Sequence, residues 1–429
     1  MTTGVRFPYL RDACRDFLIE ALKLLSLSPR DAAAARGETD LGSPLYGWLD
    51  THQQELAALP SAASASSAVA QAGLNIGQVS DREGKELTSE AYAPWHVVEI
   101  ILAPLVVEYV GANRGRTSYN ARLYDAIYAR LEEAYSIGQP CRFVAPLENF
   151  ESERPHIRLE SGLWIEPLNE RDIEQLASFF PEFFGPRARS LAFFTGRPQW
   201  GMVMLARDRR FRPFSDYHAK FRALSLALRL ASAEPVGYRF AVHYPAQRAF
   251  QAWMLRGASR DLSSELRYGP RYILRRADEP RFKRIFRELS DNPVLSAYPI
   301  AFSRFADAYW RQSAADALID LWIALESLLA PHDNTGEATY RLALRIAYFL
   351  GQTSEERVSI DKDIRDSYRL RSDVVHGRKH SPALLDALTE KTAGYLRRTL
   401  RAVVQTGAKL DVERIDRSVR AGKKPSETQ

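Results

Sequence analysis

The chain has 429 residues, of which 45% are hydrophobic and 26% charged, a composition that predicts a globular protein of two or three domains. Its two cysteines, Cys14 and Cys141, exclude a disulfide framework and a cysteine-based metal site. The first residues, MTTGVRFPYLRD, lack the apolar run of a secretion signal, and the most apolar window (97–110) is too short to span a bilayer. We therefore expect a cytoplasmic protein without a membrane contact.

The net charge of +6 is concentrated at one end of the chain. Residues 361–429 contain 16 Lys and Arg against 10 Asp and Glu, so the first 360 residues are neutral overall. A local excess of positive charge suits a polyanionic partner. The alternative is a solvated basic tail over 411–429, which the polar sequence of that stretch favours.

Residues 1–75 are predicted to form a helical N-terminal segment that ends in a linker. Leu18, Leu22 and Leu25 recur at helical spacing, which indicates an amphipathic helix. The stretch SAASASSAVAQAG (61–73) has small residues and no charge. This composition predicts a weakly ordered connection and a domain boundary.

Residues 76–300 are predicted to form a mixed α+β region. The window 97–110 is typical of a buried helix or strand, and Leu123, Ile127 and Leu131 form a helical stripe soon after it. Apolar and polar residues alternate around Gly and Pro at 141–150, 156–168 and 237–244, which predicts strands. Helices are expected after Asn169, a plausible N-cap, and over 221–232.

Residues 301–410 show helical patterns alone. Five helices are predicted, at 302–312, 314–330, 337–352, 354–377 and 382–405. The connections between them are short and contain Pro, Asn and Gly, as expected between the helices of a bundle. The fold class predicted for the whole chain is therefore α+β, mainly α, with a mixed region followed by an all-α bundle and a basic tail at 411–429.

The stretch YRLRSDVVHGRKH (368–380) sets Arg371 and His376 five residues apart. In an ideal helix this spacing turns the side chains about 140° from each other. They can meet on one target only if the helix ends near Gly377 or if each meets its counterpart on a second subunit. The alternative is an ordinary helix end, where cations complement the helix dipole.

Arginine and histidine together suit RNA cleavage without a metal. Imidazole can take a proton from a ribose 2′-OH or give one to the leaving oxygen. A guanidinium can bind the phosphate oxygens as negative charge builds on them. The products would carry 2′,3′-cyclic phosphate and 5′-hydroxyl ends, and no cofactor would be needed.

Three ordered motifs, LIDLWIALESLLAP, EATYRLALRIAYFLG and YRLRSDVVHG, resemble the C-terminal helical domain of the Apea-like HEPN proteins over about residues 300 to 405. The resemblance implies a HEPN bundle that forms a homodimer, in which R-x4-6-H motifs from two subunits build one RNase site. Arg371 and His376 match its arginine and histidine. Ser372 stands where many members have Asn, Asp or His, and Asp373 follows it.

The resemblance also gives a setting for the pair. Glu326 matches a recurrent acidic position, and it either orients the basic pair or the partner helix, or is an exposed helical glutamate. Members of the family include toxins of anti-phage defence, in which the N-terminal part senses an unknown trigger. The alternative is a non-catalytic HEPN dimerisation scaffold or RNA-binding protein.

Other basic residues are candidates for RNA contact. Arg378 and Lys379 adjoin the motif, and Arg275 and Arg276 lie in a basic and aromatic stretch at 267–287. The stretch 207–222 has the same character, and a solvated basic face explains both equally. His376 and His380 have an i, i+4 metal-ligand spacing, but Gly377 interrupts the helix and no third ligand is evident. We therefore expect no metal.

Overall fold

A computed structural model describes residues 5–25, 44–74, 79–80, 86–87, 94–184, 199–208, 215–247, 250, 257–260, 270–290, 294–330 and 338–422. The fold class is α+β and mainly α, as the sequence predicts. The chain divides into two compact units. The first comprises Met1–Phe143, Met204–Phe214 and Val242–Ala258, and the second comprises Val144–Val203, Ser215–Ala241 and Ser259–Gln429. No helix within the described ranges is long and apolar enough to cross a membrane.

The first unit is built mainly of helices. They are α1 (Pro8–Leu24), α2 (Pro44–Ala57), α3 (Pro60–Ala72), α4 (Pro94–Val97), α5 (Ala103–Ala112) and α6 (Ala121–Ser136), with a π-helical turn at Val98–Leu102 and short antiparallel strands β1 (Val79–Ser80) and β2 (Glu86–Leu87). The predicted stripe of α1 is buried at Leu18, Leu22 and Leu25. On α6, Ile127 and Leu131 are buried as well.

A carboxylate on α6 holds the chain at the start of α1. Glu132 accepts hydrogen bonds from the backbone N–H groups of Arg6 (2.9 Å) and Phe7 (2.8 Å). The hydroxyl of Tyr128, one turn earlier on α6, donates to the same carboxylate at 3.2 Å. These bonds satisfy the backbone N–H groups of the two residues that precede the helix.

The predicted linker at 61–73 is wrong, because these residues form helix α3. Alanine has the highest helix propensity, and Pro60 is well suited to the first turn. Ala62, Ala65 and Val69 are buried, and the hydroxyl of Ser66 bonds back to the carbonyl of Ala62 at 2.8 Å. The small side chains of this segment therefore allow a closely packed helix, whereas the composition of the segment predicted weak order.

The window 97–110 is a buried helix interrupted by a π-helical turn. Pro104 has no N–H and cannot bond to the carbonyl of Ile100 four residues earlier. The hydroxyl of Tyr135 on α6 donates to that carbonyl at 2.7 Å. A side chain from a neighbouring helix thus bonds to the carbonyl that the proline cannot reach.

The other described strands lie between residues 139 and 274. They are β3 (Gln139–Pro146), β4 (Phe150–Ser152), β5 (Ile157–Glu160), β6 (Leu163–Pro167), β7 (Trp200–Asp208), β8 (Phe240–Pro245), β9 (Gly257–Arg260) and β10 (Tyr272–Leu274). Six of them form a sheet in the order β5-β6-β7-β3-β8-β9, and β10 pairs with β4 in parallel. The strands predicted at 141–150, 156–168 and 237–244 are confirmed.

Helices of the second unit flank these strands along the chain. They are α7 (Glu170–Phe179), α8 (Pro181–Phe184), α9 (Ser215–Ala231), α10 (Glu279–Ser290) and α11 (Val294–Ala297). Asn169 caps α7 as predicted. Its side chain accepts from the N–H of Asp172 at 2.9 Å, while Asp172 accepts from the N–H of Asn169 at 3.0 Å. This reciprocal pair is a capping box.

The C-terminal region is all-α, as predicted. Its helices are α12 (Pro299–Ala308), α13 (Ala314–Leu329), α14 (Ala338–Leu350), α15 (Ser354–Val375), α16 (Pro382–Thr406) and α17 (Val412–Ala421). Ser313, Thr353 and Ser381 cap α13, α15 and α16 through their side chains. Such caps satisfy N–H groups at the first turn, and they explain why the predicted boundaries agree with the structure.

The sequence predicts a solvated tail from residue 411, whereas residues 412–421 form α17. Ile415 and Ser418 are buried. Arg345 of α14 is 5% exposed and binds both carboxylate oxygens of Asp416, at 2.8 and 2.9 Å. A bidentate ion pair and a buried apolar side chain therefore dock a stretch whose charge suggested solvent. The predicted tail residues 423–429 lie outside the described part of the chain.

A chain of hydrogen bonds runs through the interior of the bundle. The indole N–H of Trp322 on α13 donates to the hydroxyl of Ser367 on α15 at 2.9 Å. The Ser367 hydroxyl contacts that of Thr392 on α16 at 2.7 Å, and Thr392 donates to the carbonyl of Leu388 at 2.6 Å. The carbonyl of Leu388 can only accept, so it takes the single hydroxyl hydrogen of Thr392, and Ser367 is therefore the donor to Thr392. The network fixes the register of three helices.

Substitution Ser367→Ala should destabilise the protein, because it leaves the buried indole N–H of Trp322 without an acceptor. The expected loss in the free energy of unfolding is about 1–3 kcal/mol. Urea denaturation followed by circular dichroism measures it. Ser327→Ala is the matched control, since Ser327 is half-buried and bonds only to a carbonyl of its own helix. Equal stability of the two variants would contradict the role of the network.

Candidate active site

The network places Arg371 beside α13. Trp322 contacts Ser367, and their successors one helical turn later are Glu326 and Arg371. A step of four residues leads from Trp322 to Glu326 on α13 and from Ser367 to Arg371 on α15. Such equal steps lead to neighbouring positions where the two helices run in the same direction. Trp322 also meets the ring of Tyr368 edge to face, with ring centroids 5.2 Å apart. The position of Arg371 thus follows from a buried contact one turn before it.

The guanidinium of Arg371 is partly enclosed by the fold, but not all of its hydrogen-bond donors have acceptors. The side chain is half-buried, and its Nε is a buried nitrogen that has no hydrogen-bond partner among the described residues. A buried N–H without an acceptor is costly and uncommon in a stable fold. It is therefore available to an incoming acceptor such as a phosphate oxygen.

Glu326 is half-buried, and the structure places it within electrostatic reach of Arg371. Burial raises the pKa of the Glu326 carboxyl above its ordinary value, and the positive charge of Arg371 opposes part of that rise. The net direction shows that desolvation outweighs the attraction. Of the two possibilities predicted for this residue, an exposed helical glutamate is thus wrong, and Glu326 lies near the candidate arginine.

His376 caps the end of α15. Its N–H donates to the carbonyl of Ser372 at 3.0 Å, and Gly377 follows in the left-handed conformation with φ of 66°. Gly377 N–H then donates to Val374, and Arg378 N–H to Asp373 at 2.8 Å. This pattern is a Schellman motif, in which glycine is favoured because it has no Cβ. The predicted helix end near Gly377 is confirmed.

The helix end leaves His376 and Arg371 on different faces. The side chain of His376 is exposed, whereas that of Arg371 is half-buried. The helix keeps its regular form to Val375, so the rotation of about 140° between the two positions remains. Within the described residues, no hydrogen bond or ion pair connects them. The two side chains of one chain are therefore not linked to each other within the described structure.

Ser372 and Asp373, the predicted supporting residues, serve the helix end in the structure. Both are half-buried. The carboxylate of Asp373 pairs with Arg378 at 3.2 Å, and their side chains are 35% and 67% exposed. Exposed pairs of this kind contribute little to stability. Their role here is local, because the pair closes the turn that follows His376.

The other predicted contacts with RNA divide into two groups. Arg378 and Lys379 are exposed beside His376. Arg275 and Arg276 are exposed after β10, and the backbone N–H of Arg276 donates to Glu153 at 2.9 Å. No hydrogen bond or ion pair joins them to residues 371–380 in the described structure. Arg378 and Lys379 thus lie next to His376, whereas no such contact in the described structure connects Arg275 or Arg276 to the motif.

The described residues contain no group of three His, Cys, Asp or Glu side chains suited to a metal ion. His376 and His380 have the spacing of helical ligands, but α15 ends at Val375. His380 instead contacts the carbonyl of Arg378 through Nδ1 at 3.1 Å. The two imidazoles therefore do not occupy successive turns of one helix.

Sequence reasoning missed Trp322, Ser367 and Thr392, which hold the helices of the site together. A signal was present in the apolar face of α15, where Ile360, Ile364 and Leu370 are buried and Ser367 shares their face. A serine on such a face requires a buried partner. The partner itself depends on tertiary packing that one helix does not reveal.

No family model matches this chain, and no curated protein or solved structure shows significant similarity to it.

Glu326→Gln tests the burial of this carboxyl. The pKa of this carboxyl in the folded protein is raised above the ordinary value of about 4.3. In the pH interval between the two values, the folded protein therefore binds more protons than the unfolded chain does. Stability of the wild type should therefore fall as the pH rises through the interval. The variant lacks this loss, so its stability relative to wild type should increase from pH 4 to pH 7, as measured by denaturant unfolding.

Glu355→Gln is the contrasting control. Hydrogen bonds at the start of α15, from its own backbone N–H and from Thr353, lower the pKa of the Glu355 carboxyl. The wild type gains stability from this group as the pH rises, so the relative stability of this variant should fall. The same sign of change in both variants would contradict the placement of Glu326.

Proposed function

We propose that the protein is a metal-independent endoribonuclease of the HEPN type, in which Arg371 and His376 from two copies form one composite site. The observation that carries the proposal is the buried, unpartnered Nε of Arg371, fixed by the Trp322–Ser367–Thr392 network. A purely structural arginine would be expected to use its donors within the fold. The all-α architecture of residues 299–421 supports the resemblance on which the HEPN assignment rests.

A second copy resolves the separation of the two groups. In a symmetric dimer the arginine of one copy can approach the histidine of its partner. Val375, the residue before His376, is 54% exposed although it is apolar, and Leu384 on α16 is 52% exposed. Apolar side chains exposed beside the motif favour contact with another protein surface. This homodimer is part of the proposal.

The proposed reaction is an internal transfer. One imidazole of His376 accepts the proton of the 2′-OH, and the 2′-oxygen attacks the adjacent phosphorus. The P–O5′ bond breaks, and the second imidazole of the dimer, protonated, gives its proton to the 5′-oxygen. Arg371 donates to the non-bridging oxygens, where charge builds. The products are a 2′,3′-cyclic phosphate and a 5′-hydroxyl, so protons and electrons balance.

The neighbouring groups have subsidiary roles in this proposal. Glu326 positions the guanidinium of Arg371 by charge, and its raised pKa reflects the same half-buried environment. Arg378 and Lys379 attract the RNA backbone from their exposed positions, which makes binding depend on salt. Residues 1–300 receive a trigger whose chemistry the site does not specify. A role in anti-phage defence, in the cytoplasm, is consistent with such a gated nuclease.

RNA cleavage in the presence of EDTA tests the assignment. Wild-type protein should release fragments with 2′,3′-cyclic phosphate ends. His376→Ala should lower the rate by about 10²–10⁴-fold and Arg371→Ala by about 10²–10³-fold, because they remove proton transfer and charge stabilisation. End-group analysis of a labelled RNA measures both rate and product.

The matched controls are Arg369→Ala and His380→Ala, which remove the same residue types nearby. The Arg369 side chain is 73% exposed and pairs with Asp366, and His380 is exposed. Both controls should cleave at the wild-type rate. Equal activity of all five proteins would remove the proposed site, and loss of wild-type activity in EDTA would contradict the metal-independent mechanism.

The alternative is a dimeric scaffold or RNA-binding protein without activity. The exposed Val375 and Leu384 support this function as well, because they require only a contact between surfaces. Expression in a bacterial host separates the two functions. Growth arrest that depends on His376 favours the nuclease, whereas intact RNA after expression of a protein that binds RNA in vitro favours the scaffold.

A further inference from the structure

A cavity of about 320 Å³ lies within the second unit, beside α13 and α16. Its walls come from α12, α13 and α16 and from the segments around Pro235 and Pro270. Leu321, Pro235 and Tyr309 supply apolar and aromatic surface, while Arg397, Glu234 and Glu390 supply charge. Ligand pockets commonly combine an apolar lining with a few polar groups, in volumes from roughly 300 Å³ upward.

Arg397 is the polar group that points to a ligand. Its Nη2 donates to the hydroxyl of Tyr309 at 2.9 Å. Its Nε is buried and has no hydrogen-bond partner in the described residues. An acceptor oxygen in the cavity would satisfy this N–H, and a charged acceptor would form the stronger bond.

Further guanidinium groups surround Arg397. Burial lowers the pKa of Arg401, one turn later on α16, to about 10, and the charges of Arg281 and Arg397 add to the effect. Arg229 lies over the ring of Tyr309, with its Cζ 5.4 Å from the ring centroid. An anion placed near these positive charges would be attracted to them. The local field therefore favours an anionic ligand.

The carboxylates in the cavity lining indicate which groups the ligand would carry away from Arg397. Glu390 is exposed at the cavity, and Glu234 is partly buried and accepts from the hydroxyl of Ser232. These groups repel a second anionic group and favour hydrogen-bond donors. Leu321 and Pro235 favour a flat or apolar body between the two kinds of polar contact.

We propose that this cavity binds a small oxyanion-bearing molecule, a phosphate or carboxylate joined to a compact planar body, with the oxyanion on Arg397. The site lies apart from Arg371 and His376, and the proposal does not depend on nuclease activity. Leu321 adjoins Trp322, and Ala393 adjoins Thr392, so the ligand would contact two of the three helices that the buried network joins.

Calorimetric titration of the full chain at constant ionic strength tests the site. The probes are inorganic phosphate, adenosine 5′-monophosphate and benzoate, which separate the phosphate and carboxylate forms, with adenosine as the uncharged comparison. At least one anionic probe should bind saturably and more tightly than adenosine. Arg397→Met keeps the apolar stem of the side chain and should weaken that binding at least about tenfold.

Two further variants make the result specific. Ala393→Phe places a ring in the cavity and should abolish binding while leaving Arg397 intact. Arg398→Ala removes the neighbouring arginine, which bonds to Leu350 and Glu356, and should bind as wild type does. Thermal melts establish that each variant is folded. The proposal is overturned if no anionic probe binds, or if Arg397→Met and Ala393→Phe bind as tightly as wild type.

Discussion

The candidate site depends on one buried chain of hydrogen bonds, from Trp322 through Ser367 to Thr392. Its members belong to three helices, and all its polar atoms are satisfied, which makes the arrangement specific as well as stable. One turn beyond it, the same geometry sets Arg371 close to Glu326. The unpartnered Nε of Arg371 is thus positioned by a network whose own donors, on Trp322, Ser367 and Thr392, all have acceptors. This contrast is the physical basis of the proposed function.

The cavity beside Arg397 shows a similar contrast. Arg397 and Arg371 each present a buried Nε without a partner among the described residues. Arg345 of the same bundle, by contrast, bonds to both carboxylate oxygens of Asp416 and to the carbonyl of Leu329. Arg371 and Arg397 lie on α15 and α16, two of the three helices that the network joins. A ligand at Arg397 would therefore act on α13 and α16, which also support Arg371.

Much of the bundle could be predicted because local rules decide it. Ser313, Thr353 and Ser381 are good N-caps and Gly377 is a good C-terminal residue, so the helix limits follow from the sequence. The divergence of Arg371 and His376 followed from the helical repeat alone. Where the prediction failed, packing overrode composition. Ala62 and Ala65 are buried against neighbouring helices, and Asp416 docks on a distant arginine, and neither partner is near in sequence.

Chemical crosslinking of single-cysteine surface variants tests most directly whether two copies meet at the motif. The native Cys14 and Cys141 are buried, so a new exposed thiol is a clean reporter. Val375→Cys should crosslink rapidly through a short bismaleimide at micromolar concentration, and Val358→Cys, 66% exposed near the other end of α15, should not. A Val375→Cys protein that stays monomeric, or equal crosslinking at both positions, would contradict the composite site.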